Sequence, residues 1–248
     1  MLEAKNITLI RQGKYLLDDI SVSIQPGKVT GIIGPNGAGK SSLLKVLSGC
    51  LKADKGEVNL HKQTLLSWSA IKRSQHCGFL SQKPTVSAEF SVAEIVTLGR
   101  YPYRHLSRNE NRAVVERYLE LLNLTDFSHR AYSTLSGGEQ QRVHLARLLA
   151  QLDNAILPEN KLLLLDEHMA HLDWAYQNWT FAYLRKIAAQ GIGVVLVSHD
   201  MDRLKQYADE VIILSQAKLY TAGAVSEILS EKVLSEVFGL KIDAGRYC

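Results

Sequence analysis

The sequence predicts an α/β protein built on a mainly parallel sheet, and three observations carry that expectation. The run "VTGIIG" at 29–34 is a short apolar strand that opens into a glycine-rich turn and then into an apolar-periodic helix. The runs "KLLLLDE" and "GVVLVSHD" are continuously apolar and end in polar residues. That is the pattern of strands buried on both faces, with functional groups at their carboxyl ends. Residues 174–189 lie between those two runs and have room for the crossover helix that parallel neighbours require.

The remaining elements follow in chain order. "ITLI" and "VSIQPGKVTGIIG" are rich in β-branched residues and read as strands punctuated by Pro26 and Gly27. In "SSLLKVLSG", Leu43, Leu44 and Leu47 have helical spacing and Gly49 suits the helix end. A mixed region follows to about residue 80. "SRNENRAVVERYLELL" (107–122) predicts a helix: Ser107 and Glu110 have capping-box spacing, and Val114, Val115, Tyr118 and Leu122 form an apolar stripe. "GEQQRVHLARLLAQL" predicts another. "DEVIILSQAKLYTAG" reads as a hairpin and 224–238 as a helical tail. The chain shows no internal repeat and no low-complexity segment.

Bulk composition narrows the class. The 248 residues are 46% hydrophobic and 22% charged, enough for one large α/β domain or for a core with a smaller helical insert. A net charge of +4 suits anionic ligands but is too small to argue for a nucleic-acid partner, and none is expected. No stretch reaches the roughly eighteen consecutive apolar residues of a membrane span. "MLEAKNITLI" lacks the basic and apolar regions of a signal peptide, so none is expected. The three cysteines, Cys50, Cys77 and Cys248, form no CxxC pair. They read as free thiols in packed surroundings within a reducing cytoplasm.

"GPNGAGKSS" fits the Walker A pattern, with a strand before it and a helix after it. Gly34, Pro35, Asn36, Gly37, Ala38 and Gly39 form a loop whose backbone N–H groups can curl around phosphate oxygens. The helix N-terminus adds partial positive charge. Lys40 is expected to reach the β- and γ-phosphates, Ser41 to ligate Mg²⁺, and Ser42 to complete the loop. Asp166 ends a buried strand and is expected to hold Mg²⁺; Glu167 points elsewhere and can polarise an attacking water. His168 and His171 sit at i, i+3, a spacing found in carboxylate–histidine metal sites on helices. No helix is secure at that point and Mg²⁺ prefers oxygen, so both histidines read as incidental.

"TLSGGEQQRVHLARLLAQ" supplies a second phosphate cradle, Ser136-Gly137-Gly138, at a helix start. One nucleotide needs only one cradle from a subunit, so the second is expected to serve the ATP of another copy. At this point the chain resembles the ABC ATPases over nearly its whole length. The motifs run in that family's order: "GPNGAGKSS", Gln82 in "FLSQKP", "LSGGEQ", "LLLLDE", Leu172-Asp173 and His199 in "LVSHD". The resemblance implies a P-loop NTPase core with a mainly parallel sheet, an antiparallel β subdomain at the N-terminal side and an inserted α-helical subdomain. It assigns 1–83 and 155–248 to the core and about 84–154 to the helical signature subdomain.

The same resemblance implies a mechanism. Two copies pair head to tail with two ATP molecules between them. Each nucleotide lies between Lys40 and Ser41 of one copy and Ser136 to Gly138 of the other. Gln82 touches Mg²⁺ or the lytic water, Glu167 is the general base, His199 contacts the γ-phosphate and Asp173 links the two sites. Within the family, "FSVAEIVTLGRYPY" resembles the importers of iron chelates, haem and vitamin B12. "SGGEQQRVHLARLLAQL" and "RQGKYLLDD" lean towards the haem-import ATPases. The implied partners are two membrane permease subunits and a periplasmic substrate-binding protein. The implied location is peripheral, on the cytoplasmic face of the inner membrane.

The chain also departs from the pattern. The family's aromatic beside adenine aligns with Arg11, with Tyr15 close by. After the acids, His168-Met169-Ala170 replaces proline and threonine or serine. His76 and Cys77 are read as surface and core. Arg100, Arg104 and Arg108 form either a solvated face or a contact for permease or acidic lipid. His144, His168 and His171 are not read as haem ligands. Coiled-coil ATPases with related heads are excluded by the short, heptad-free distance between Ser41 and Ser136.

Overall fold

The computed structural model describes residues 2–82, 86, 89–167 and 172–238. Two sheets organise it. The first is antiparallel and four-stranded, in the order β2-β1-β4-β5, from β1 (Leu2–Arg11), β2 (Lys14–Ile24), β4 (Lys55–Leu60) and β5 (Gln63–Thr64). The second has six strands in the order β10-β9-β3-β8-β7-β6. These are β3 (Val29–Ile33), β6 (Cys77–Leu80), β7 (Leu162–Asp166), β8 (Gly193–Val197), β9 (Glu210–Ser215) and β10 (Lys218–Ala224). All neighbours in this sheet are parallel except β9–β10, the expected hairpin.

The leucine run of β7 shows why the chain folds in layers. Leu162 and Leu164 face a core that contains α1 (Lys40–Leu47) and the antiparallel sheet. Leu163 and Leu165 face the opposite core, formed with α3 (Val92–Leu98), α4 (Arg108–Leu121), α5 (Gly137–Leu152) and α6 (Trp174–Ala189). Successive strand side chains point to opposite faces, so a strand covered on both sides must be apolar at every position. Each buried leucine contributes at most about 1.5–3 kcal/mol.

Helix starts follow local chemistry. Ser91, Ser107 and Ser136 each open a helix with a reciprocal capping box to Glu94, Glu110 and Glu139. Val115 on α4 and Leu122 just past its end are buried as the stripe predicts, Val114 and Tyr118 are only partly buried, and Leu119 joins the core. Helix α6 spans the expected residues. The tail differs from its expectation: it is two helices, α8 (Val225–Ile228) and α9 (Glu231–Phe238). Leu229 and Ser230 separate them, and the Ser230 Oγ accepts from the Val233 N–H at the start of α9. The remaining helices are α2 (Ala70–His76) and α7 (Met201–Tyr207).

Two readings of single residues are corrected. Cys50 is exposed rather than packed, because it follows the end of α1 in a surface turn. Cys77 is buried, and burial pushes its thiol up to about 12. Cys248 lies outside the described residues. His76 is half-buried rather than on the surface, since its ring packs edge-on against Trp68 with centroids 4.8 Å apart.

Hydrogen bonds from Ser91 and Ser107 hold the Glu94 and Glu110 carboxyls below the ordinary carboxylate range. A carboxyl depressed in the folded state adds stability above its unfolded value, about 4.3 for glutamate, and loses it as pH falls through the folded value. The melting temperature should therefore fall more steeply on acidification below about pH 4.3 in the wild type than in a Glu94→Gln/Glu110→Gln variant, as scanning calorimetry would measure.

Candidate functional site

The glycine-rich loop leaves the carboxyl end of β3 and enters α1. Gly34 has φ 149° and Gly39, the residue before α1, has φ 102°. A Cβ at Gly34 would sit 2.1 Å from the Leu214 carbonyl oxygen, and one at Gly39 would sit 2.4 Å from that of Leu16. Backbone of β9 and β2 thus walls the loop on two sides, and only glycine fits. Ala38 is buried and its N–H donates to the Pro35 carbonyl at 3.1 Å, closing the turn. Asn36 and Gly37 form the exposed tip.

Lys40 is only 6% exposed. Its ammonium donates to the carbonyls of Gly34 at 2.8 Å and Pro35 at 3.0 Å, folding back along the loop that it follows. Burial pushes its pKa down, while the charges of Glu167 and Asp166 act the other way. Ser41 lies one residue further on α1, and its Oγ donates to Asp166 Oδ1 at 3.0 Å. Ser42 follows, half-buried. Asp166 is 2% exposed, and its pKa is raised, first by burial; the Ser41 bond opposes this. A hydroxyl and a buried carboxylate facing each other form a hard-oxygen pair that suits Mg²⁺, and the buried carboxyl gains from an added cation.

Glu167 follows β7 with φ 46°, in the left-handed region that non-glycine residues seldom adopt. Its Oε2 accepts from Gln82 Nε2 at 2.5 Å, and its Oε1 lies 2.9 Å from His199 Nε2. Gln82, Glu167 and His199 follow the carboxyl ends of β6, β7 and β8, three neighbouring parallel strands. The three side chains expected to act on the γ-phosphate and its attacking water therefore meet at one carboxylate.

Ser136-Gly137-Gly138 and Asp173 lie elsewhere. Ser136 precedes α5, and its N–H and Oγ both donate to Glu139 Oε2, at 2.7 and 2.8 Å. Asp173 precedes α6, where its Oδ1 accepts from the Tyr176 N–H at 2.8 Å. The two helix starts share one concavity with Glu139, Arg142, Leu172 and Tyr176. No residue of the glycine-rich loop, and neither Asp166 nor Glu167, lines it. Within one protomer this concavity is thus separate from the phosphate loop.

Arg11 is engaged: its guanidinium pairs with Asp54 at 3.1 Å. Tyr15 is 55% exposed, one residue before the Leu16 carbonyl that walls Gly39. His144 is buried, with Nε2 2.7 Å from the Tyr132 hydroxyl. His168 and His171 lie outside the described residues. The sequence reading did not pick out the walls supplied by Leu16 and Leu214, nor Tyr176, because backbone approach and contacts between helices leave no local signature.

A glycine-walled phosphate loop beside a buried serine–aspartate pair, at the carboxyl ends of parallel strands, defines a P-loop nucleotide hydrolase. Comparison with known proteins narrows this. The family model described as ABC transporter matches residues 17–170. The chain is 39% identical over 239 residues to a hemin import ATP-binding protein of Shewanella denitrificans, covering 96% of this chain and 93% of that one. It is 40% identical over 242 residues to the protein of the same name from Pseudomonas fluorescens, covering 98% and 94%. A solved ATP-binding cassette, a dimer in a post-hydrolysis state bound to ADP and Pi, matches with a TM-score of 0.80 at 26% identity, covering 91% of this chain and 99% of that one. The chain belongs to the ABC transporter family. It is an ATPase subunit that couples nucleotide hydrolysis to transport.

The carbonyl walls make a loop prediction. Gly39→Ala should lower unfolding free energy by about 1–3 kcal/mol and weaken ATP binding, since φ 102° and the Leu16 oxygen both oppose a Cβ. Urea unfolding and fluorescent-nucleotide titration would check both effects.

Proposed function

We propose that this subunit hydrolyses MgATP as a head-to-tail dimer and thereby energises import of haem through a membrane permease. The observation that carries the catalytic part is the convergence of Gln82 and His199 on Glu167, beside the Ser41–Asp166 pair. The loop 34–42 holds the triphosphate with its N–H groups and the Lys40 ammonium, which leaves the Gly34 and Pro35 carbonyls for the phosphate oxygens. Ser41 and Asp166, assisted by Gln82, hold Mg²⁺, which when bound neutralises charge on the β- and γ-phosphate oxygens. Glu167 accepts a proton from the attacking water as the bond from the γ-phosphorus to ADP breaks. His199 holds the γ-phosphate and keeps the carboxylate oriented. Tyr15, exposed where Arg11 is engaged by Asp54, is free to stack on adenine.

Ser136, Gly137, Gly138 and Asp173 act on the nucleotide of the second copy, and residues 84–154 form the helical subdomain that carries the serine and glycines. Their separation from Lys40 within one protomer supports this sharing. Two permease subunits anchor the dimer, and a periplasmic substrate-binding protein delivers cargo to them. Among the described residues no helix is long and apolar enough to cross a membrane. The dimer is placed peripherally, at the cytoplasmic face of the inner membrane. Haem is favoured as cargo by the relatives named hemin import ATP-binding proteins. A ferric siderophore or vitamin B12 is the alternative.

Glu167→Gln should retain ATP affinity, lose about 10²- to 10⁴-fold in turnover and accumulate as a nucleotide-bound dimer. Phosphate release and size-exclusion chromatography report the two properties; normal turnover would remove Glu167 from the role of base. Deleting the gene should abolish growth on hemin as sole iron source and leave growth on ferric siderophores and uptake of vitamin B12 intact. The reverse pattern would reassign the cargo.

A further inference from the structure

We infer that Tyr176 is a positioning residue: it locks the signature turn to the Asp173 turn, so that one protomer presents both to its partner's nucleotide as a single rigid surface. This rests on the shared-site reading above and extends it to a residue outside the motifs that the sequence singled out.

The geometry is specific. Tyr176 lies in the first turn of α6, three residues after Asp173, and its N–H is the donor to the Asp173 carboxylate. Arg142 lies in the second turn of α5, six residues after Ser136. The Tyr176 hydroxyl accepts from Arg142 Nη1 at 2.8 Å and from Asn123 Nδ2 at 3.1 Å, and donates to the Leu122 carbonyl at 3.1 Å. One donor and two acceptor positions are all that a phenol offers, so its hydrogen-bonding capacity is filled. The Arg142 guanidinium also lies over the Tyr176 ring, 4.5 Å from its centroid, and Nη1 reaches the Leu122 carbonyl at 3.2 Å. A single side chain thus joins the starts of α5 and α6 to the carboxyl end of α4.

The levers are short. Arg142 is about 9 Å along its helix from Ser136, and Tyr176 about 4.5 Å from Asp173, at about 1.5 Å per residue. A shift at the contact passes to both helix starts almost undiminished. A displacement of about 1 Å in groups that position a reacting phosphate can cost up to about 100-fold in rate. Capping keeps each helix start intact on its own; among the described residues the Tyr176 hydroxyl and the Arg142 guanidinium, with the Leu122 carbonyl they share, tie the two starts together. The Ser136 and Asp173 turns line the same concavity as these two side chains, which agrees with a jointly presented surface.

The test uses mixed dimers in which one composite site is competent. A Ser136→Arg subunit keeps its phosphate loop and lacks the signature; a Lys40→Ala subunit keeps the signature and lacks the loop. Neither homodimer has a competent site, so all ATPase activity of the mixture comes from the loop of the first and the signature of the second. Tyr176→Phe, which deletes only the hydroxyl, is then placed in either subunit. In the Lys40→Ala subunit it should lower kcat about 3- to 30-fold, with KM for MgATP unchanged within about twofold. In the Ser136→Arg subunit it should change kcat less than about twofold. Arg142→Lys should reproduce the same one-sided loss, which protects the test against poor folding of one variant; a thermal melt of each subunit accompanies the assay. An equal loss from either subunit, a loss only from the Ser136→Arg subunit, or no loss overturns the positioning role. A parent mixture that never gains activity while both subunits fold overturns the shared-site reading and the inference with it.

Discussion

The parallel register of β3, β8 and β7 is the constraint on which the site depends. Ile32 pairs with Val197, and Val197 with Asp166, so the three strands reach the same edge of the sheet in step. From that edge leave the phosphate loop, the His199 turn and the Asp166–Glu167 pair. All three strands are buried along their whole length. Apolar packing on both faces therefore fixes the relative height of groups that are far apart in sequence. A slip of one residue would turn Leu162–Leu165 to the wrong cores and separate Ser41 from Asp166.

Against this apolar frame the site accumulates unfavourable local features. Lys40 and Asp166 are buried, and both pKa values are displaced towards the neutral form. Glu167 occupies a left-handed backbone conformation. Each such feature is costly on its own, and hydrogen bonds to carbonyls, Ser41, Gln82 and His199 offset the cost only in part. An anionic ligand with its cation complements that arrangement better than the side chains complement one another. This is the expected state of a preorganised phosphate site.

The helical side of the molecule follows a different logic. Ser136 and Asp173 are local caps, each accepting from the backbone N–H three residues on. Their common orientation is not local. It depends on contacts among α4, α5 and α6 at Tyr176 and Arg142, placed on the far side of the parallel sheet from α1. The phosphate loop and the signature turn consequently look out from different parts of one subunit, which the proposed head-to-tail sharing of nucleotides requires.

Short-range physics made much of the molecule legible from the sequence alone. The glycine spacing of 34–39, the capping box at Ser107, the helix start at Ser136, the span of α6, the β9–β10 hairpin and the two-sided burial of the leucine run are all signalled by patterns of a few residues. The candidate phosphate loop and acid pair were legible from short motifs, whereas Gln82, Asp173 and His199 came from the resemblance to the ABC ATPases. Tertiary structure alone decided the rest: the exposure of Cys50, the packing of His76 on Trp68, the pairing of Arg11 with Asp54 and the hub at Tyr176. It also decided the turn of the hairpin, where Gln216 and Ala217 take positive φ without a glycine. The Arg11–Asp54 pair and the Tyr176 hub rest on contacts between segments tens of residues apart. Their energies depend on how whole layers pack, and no local pattern of side chains encodes that.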